Sequence, residues 1–464
     1  MGVLLGEPSA GLLALAALLL WPGLLIVRAP WPFVPFLSLS FWLVTWEWLA
    51  PSGPGRARSL LVALAFFALL SGLRLFKPWL GSRPSWPTLV VLAAALGRLA
   101  PFSWWPAAPG LDAAFPSSAA LLLVWRDGLP ASYLPLHPIL GFGLGDSGLA
   151  ALAADVSLMA GIPAHRAFLL VTLASEGLLT LALFALARRF RTEAWSAVGA
   201  VMVAALVLLG AASTEGLRGG VTMALALAIV GAALVLHAWG RSPCVAAGVV
   251  WAGGAALSPP VVLAGGLATF ASIVARRGWR STGFLGLAAT VAGLLAAPLL
   301  WRTVEVGKPE LPGPLGLALA VLVVAGVPAT AGRWSGLEAK VFVLAASVVL
   351  AVGATLADWK VRSARVLVSA DELAAAAWLR DHSDPTDVVC SDDEAARAWI
   401  PALAGRAASP PWLPSSVQPS RWAPSFGACR FAWGPPGSLA WPAVFRQGRV
   451  SLARLPHDGG AGEP

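Results

Sequence analysis

The chain has 464 residues, 58% of them hydrophobic and 12% charged, with a mean hydropathy of +0.77 and a net charge of +9. Those proportions exclude a soluble globular domain, and the length exceeds what a single anchor needs, so a polytopic membrane protein is expected. The positive balance does not mark a nucleic-acid surface, because the basic residues stand singly or in small groups at the ends of apolar runs, as at Arg188, Arg189 and Arg191 or Arg276, Arg277 and Arg280. That placement is topology charge.

In chain order, apolar runs predict helices near residues 9–27, 31–50, 57–76 and 86–101, then, beyond a polar loop, 166–187, 194–213, 218–239, 282–301, 314–332 and 336–357. A broken pair at 243–257 and 261–275 brings the total to about twelve transmembrane helices. The break falls at Ser258, Pro259 and Pro260, where two prolines remove backbone donors and a mid-depth hairpin is expected. The first apolar run has no basic flank and no small-residue cleavage site, so it is read as a helix rather than a signal peptide. The positive-inside rule puts the Arg188 and Arg276 clusters, with Arg241, in the cytoplasm, which leaves the polar loop and the carboxyl-terminal tail outside. Arg56 and Arg58 would then lie on the outer side, and the amino terminus switches sides if Ser147 to Ile162 also spans.

Four regions follow: amino-terminal helices over 1–100, an extracytoplasmic loop with juxtamembrane helices over 101–165, a transmembrane bundle over 166–357, and a small extracytoplasmic α/β domain over 358–464. The last holds eleven of the 23 acidic residues and no run long enough to span. Ser369 and Asp371 can cap a helix through Leu379, Asp387 to Ser391 reads as a short strand, and Asp392 to Trp399 as another helix. Beyond Pro410, proline and tryptophan dominate and irregular structure is expected. Cys390 and Cys429 are the cysteines of this tail; in an oxidising compartment they form a disulfide or remain as two buried thiols.

The loop holds every aspartate of the first 357 residues, Asp112, Asp127, Asp146 and Asp155, and the chain's only tyrosine, Tyr133. In the flanking spans a carboxylate would cost about 2.5–3.5 kcal/mol at mid-bilayer, so a water-facing cleft is sought here. Pro109, Gly110, Leu111 and Asp112 open the loop. Ser117 or Ser118 can cap a short apolar helix that ends at Arg126, Asp127 and Gly128, Leu129 to Pro138 form an extended link, and Ser147 to Met159 form a second short helix. Both helices are expected to lie along the outer membrane surface. Asp112 is either a turn cap or a base; Asp127 suits a helix end, Asp146 a cap, and Asp155 a face toward water or the cleft. Glu176 belongs inside the bundle, and Glu215 with Arg218 can line the cleft. His137 and His165 are too far apart to claim a metal, and neither a metal nor a cofactor is expected. Without a Walker loop, dinucleotide fingerprint or serine elbow, a nucleotide-driven pump or soluble-type hydrolase is not expected.

The order of helix, acidic residue, short helix, proline-rich turn, second short helix and Gly161-Ile162-Pro163-Ala164-His165-Arg166 resembles the inner-membrane glycosyltransferases of the GT-C fold. Two further stretches resemble the same enzymes. Trp399 to Arg406, preceded by Ala370-Asp371 and Trp378-Leu379, is similar to their tail, and Ala246 to Val274 to their paired short helices around a proline. The resemblance implies a bacterial inner-membrane enzyme that moves a hexosyl or pentosyl group, with inversion, from a polyprenyl-phosphate carrier to a lipid or glycan acceptor. Asp112 matches the position of the catalytic base, and Arg166 or Arg218 would hold the leaving phosphate. Tyr133, His137 and Glu215 complete the implied substrate-binding set. Family members often carry a second carboxylate or a histidine just after the aspartate, whereas Ala113, Ala114, Phe115, Pro116 and Ser117 follow here. That departure points to an alternative, a non-catalytic relative with the same fold. A transporter is the remaining reading, since Pro259 and Pro260 interrupt a helix, although the amino-terminal half shows no matching break.

Overall fold

Helices that are apolar all round must bury every face in protein or in lipid, and the bundle of this chain is made of such helices. The computed structural model describes residues 7–26, 31–49, 60, 63–65, 86–139, 142, 147–188, 219–237, 241–277, 283–295, 367–412 and 428–455. Helices α1 (Glu7–Ile26), α2 (Val34–Leu49) and α3 (Trp86–Leu99) lead to the loop, which contributes α4 (Ala114–Trp125) and α5 (Ser147–Ala160). Then follow α6 (Ala164–Ala187), α7 (Gly219–His237), α8 (Arg241–Ala255), α9 (Pro259–Arg277) and α10 (Gly283–Leu295). The predicted spans at 194–213, 314–332 and 336–357, and nearly all of 57–76, lie outside the described residues.

Among the described residues two helices are long and apolar enough to cross a membrane, α6 and the Gly219–Leu236 part of α7. With 24 residues, α6 reaches about 36 Å at 1.5 Å per residue, against a hydrocarbon thickness of about 30 Å. The expected total of about twelve spans is not reached by the described helices. The bundle nevertheless turns leucines outward, among them Leu96 of α3 at 64% exposure and Leu263 and Leu267 of α9 at 67% and 68%. Leu263 and Leu267 lie one turn apart on a single face, which makes sense with lipid rather than water as the solvent. The break between α8 and α9 falls where the prolines put it: Ser258 N–H still bonds to Gly254 O at 2.9 Å, and Pro259 opens the next helix at a position where its missing donor costs nothing.

The loop helices are more deeply buried in protein than their sequence implies. Neither lies with one face in solvent: α4 is buried at Ala114 to Ala120, Leu122 and Leu123, and Leu149 to Val156 of α5 is buried throughout. Being apolar on all sides, they pack into the bundle against each other and against α6.

The tail is an α/β unit. Helices α11 (Ala370–His382) and α12 (Glu394–Ala404) pack on a sheet of β1 (Val388–Cys390), β2 (Ala407–Ser409), β3 (Phe431–Gly434), β4 (Ala443–Gln447) and β5 (Val450–Arg454), in the order β2-β1-β3-β5-β4. β1 pairs in parallel with β2 and β3, while β5 pairs antiparallel with β3 and β4. Ser369 caps α11 through a capping box with Glu372. Asp371 is not the cap; its Oδ2 accepts the Arg449 N–H at 3.1 Å and pins the β4–β5 turn to the helix. Asp393 caps α12, which continues past the expected end at Trp399 to Ala404 despite Pro401, because Ala398 to Ala404 are all buried. Irregular structure after Pro410 is also corrected, by β3, β4 and β5. Cys390 and Cys429 are joined as a disulfide with Cα atoms 5.7 Å apart, within the range a bridge requires. In protein purified without reductant both thiols should resist maleimide until a reductant is added; immediate double labelling would rule the bridge out.

Candidate functional site

The loop starts at the end of α3. A 3-10 helix, Ala100–Trp104, leaves Trp104 74% exposed, while Phe102 and Trp105 pack edge to face at 4.9 Å. Gly110, with φ of +89°, then turns the chain sharply into a 3-10 turn, Leu111–Ala113, that runs directly into α4. Asp112 stands exposed on this turn between Leu111 and Ala113, which both pack against the core of the tail. The turn sits at the seam between bundle and tail, with the carboxylate in water.

Neither serine caps α4. Ser117 Oγ donates to Ala113 O at 2.6 Å and Ser118 Oγ to Phe115 O at 2.7 Å, both inside the helix. The helix needs no side-chain cap because the 3-10 turn already leads its backbone into register. At the far end Asp127 takes φ of +48°, as a short polar residue can when it closes a helix. Asp155 is buried in α5, and Asp146 lies outside the described residues.

The segment read as an extended link is a closed knot instead. Tyr133 N–H bonds to Ile139 O at 3.1 Å, and the Leu136 and His137 N–H groups both bond to Tyr133 O at 3.0 Å. Tyr133 stacks on Phe142 at 4.5 Å and meets Phe115 at a tilt at 4.7 Å, with His137 4.9 Å from Phe115. Ser118 Oγ lies 2.7 Å from His137 Nε2. Since the serine proton is committed to Phe115 O, the imidazole donates to the hydroxyl, which assigns the Nε2–H tautomer. Tyr133 and His137 are 4% and 1% exposed, so in this arrangement they shape the loop from inside the core.

Burial pushes the His137 imidazole down to about 3, whereas it titrates near 6.5 when unfolded. As pH falls the unfolded chain takes the proton first. The stabilisation is therefore complete above about pH 6.5 and is lost toward pH 3, at about 1.4 kcal/mol per pH unit. Unfolding in detergent between pH 7 and 4.5 should include that slope, and His137→Gln should lower the total by about that amount; parallel curves for the two proteins would mean the imidazole is not held neutral.

Arg166 is half-buried at the start of α6, its N–H bonded to Pro163 O at 3.0 Å. His165 beside it is buried, and Arg380 of α11 lies in the tail. Arg380 donates to Leu403 O at 2.7 Å. Glu215 and Arg218 lie outside the described residues. Among the described residues no group of three His, Cys, Asp or Glu side chains is placed to hold a metal. The tail contacts of the Asp112 turn were missed from sequence, because residues about 270 positions apart meet only through tertiary packing.

No protein-family model matches the chain, and no curated protein matches it. Among solved structures it is similar to the oligosaccharyltransferase of Archaeoglobus fulgidus, a crystal structure with zinc and sulfate. The identity is 12% and the TM-score 0.39, over 69% of this chain and 61% of that one. The likeness is distant, the chain spans less than two thirds of that enzyme, and neither family nor activity follows from it.

Proposed function

We propose that the chain is a membrane glycosyltransferase of the GT-C fold that moves a sugar from a polyprenyl-phosphate carrier to a hydroxyl acceptor at the outer membrane face. The observation that carries the reading is the placement of Asp112: an exposed carboxylate on a turn held by two apolar flanks, where the loop meets the tail. In an inverting transfer one Asp112 oxygen takes the acceptor's proton as the acceptor oxygen bonds to the anomeric carbon, and the carbon–phosphate-oxygen bond breaks with its electrons leaving on the phosphate. Arg166, at the start of α6, would receive that anion through charge-assisted hydrogen bonds. The deciding experiment is turnover of a synthetic polyprenyl-phosphate sugar by the purified protein in nanodiscs; no transfer to any lipid or glycan acceptor, with the protein folded, overturns the reading.

A non-catalytic relative is the second reading. One observation favours it: Ala114, Phe115, Pro116 and Ser117, which follow the Asp112 turn, are all buried, so this stretch presents no second polar group beside the carboxylate.

The bacterial inner membrane, with the tail outside the cytoplasm, is part of the same proposal and rests on the arginine clusters. A reporter active only in the cytoplasm, fused at Pro464, should be silent; a signal would reverse the orientation and remove Asp112 from the outer face.

A further inference from the structure

We propose that the tail domain is a positioning clamp for the Asp112 turn, acting through Leu111 on the loop side and Trp412 on the tail side. The proposal rests on the reading of Asp112 as the base.

The tail does not simply hang from the last helix of the bundle. Its apolar core includes two residues of the loop, Ala107 at 1% exposure and Ala114 at 0%, together with Val389, Trp399, Leu403, Phe431 and Leu452 of the tail. Leu111 and Ala113 pack against the same core, so residues on both sides of Asp112 are seated in the tail while the carboxylate between them stays in water. Helices α4 and α12 pack against each other. At their carboxyl ends Gly405, with φ of +67°, approaches Trp125 so closely that a Cβ would collide with the indole ring. At the other end Trp412 touches both the bundle core and the tail core, and its indole N–H donates to Glu394 Oε1 at 3.3 Å, at the first residue of α12. The turn itself has little to hold it locally: Gly110 precedes it without a side-chain cap, and a Cβ at Gly110 would meet nothing within 4 Å. The turn is joined to α4 by the Ala114 N–H bond to Leu111 O, and the side chains on either side of Asp112 take their places from what they pack on. Here that is the tail, and a general base displaced by about 1 Å loses about 10²-fold in rate.

The test uses the full chain in nanodiscs. Leu111→Ala and Trp412→Ala are compared with Leu111→Met and Trp412→Phe, reading amide hydrogen exchange at residues 107–114 and the turnover of a polyprenyl-phosphate sugar. The alanine variants should exchange at 107–114 on the order of tenfold faster, while β3 and β5 stay protected. Their kcat should fall by about 10- to 100-fold with KM within about twofold, and the Met and Phe variants should recover most of it. Unchanged exchange in Leu111→Ala overturns the clamp. Faster exchange with unchanged kcat overturns the positioning role and leaves only a packing contact. If Trp412→Ala also loosens β3 and β5, Leu111→Ala decides, since it leaves the tail's own residues intact. Full turnover by Asp112→Asn overturns Asp112 as the base, no turnover by the parent overturns the glycosyltransferase reading, and in both cases exchange at 107–114 still decides whether the tail holds the turn.

Discussion

Asp112→Asn should lower the turnover of a lipid-linked sugar by about 10²–10⁴, the range typical for loss of a general base. Asparagine keeps the size and hydrogen-bonding capacity of the side chain and removes only its basicity. Because Asp112 is exposed, folding should hardly change, so melting of the variant and the parent should superimpose while kcat separates them. Asp155→Asn, at a buried carboxylate in α5, should show the reverse pattern, with folding affected before chemistry. Equal turnover by Asp112→Asn and the parent would remove Asp112 as the base and require another group to take the acceptor's proton; the non-catalytic relative becomes the better reading only if the parent itself transfers no sugar.

Arg406→Met should destabilise the tail domain by about 3–5 kcal/mol. This guanidinium is 3% exposed. Its Nε donates to Ser383 Oγ at 2.7 Å, its Nη1 to Ala404 O and Gly405 O at 3.3 and 3.0 Å, and its Nη2 to Arg380 O and Ser383 O at 3.1 and 2.5 Å. The carbonyls lie at the carboxyl ends of α11 and α12, where the last C=O groups of a helix have no partner within it and the dipole is negative. One arginine thereby caps two helices and locks them together. Burial pushes the guanidinium below its usual range, and Asp387 and Asp384 draw it back up. Methionine fills the volume of the stem and leaves those acceptors without their donor. Lysine should recover only part, because a single ammonium cannot reproduce the planar fork. Exchange and limited proteolysis of residues 367–455 report the loss, and a change below about 1 kcal/mol would show that water replaces the guanidinium without cost.

Two arginines of the tail illustrate what a linear pattern can and cannot carry. Arg406 entered as part of a stretch resembling a glycosyltransferase tail, and its contacts show a group devoted to helix ends. Arg380 carries no such pattern, yet packing brings it to the end of α12, where it donates to Leu403 O at 2.7 Å. The β4–β5 hairpin was missed although Val444-Phe445-Arg446-Gln447 and Val450-Ser451-Leu452 flank a short Gly448-Arg449 turn, a hairpin signal obscured by the neighbouring prolines and tryptophans. Tyr133 and His137 were singled out as rare polar residues in an apolar chain, and the same rarity follows from burial, where a polar ring needs a partner such as Ser118.

Local and periodic signals alone determined the apolar helices, the helix break at Pro259, the capping of α11 by Ser369 and the separate acidic tail. Each depends on residues within a few positions of one another, where backbone donors, proline geometry and the cost of charge in lipid act directly. Tertiary structure decided that α4 and α5 are buried on nearly all sides by protein, that Cys390 meets Cys429, and that the turn bearing Asp112 is seated in a domain whose residues begin about 250 positions later. Those outcomes depend on which apolar faces find one another. Apolar attraction is non-directional, so a hydrophobic face specifies that it will be covered and leaves the identity of its cover to the packing of the whole chain.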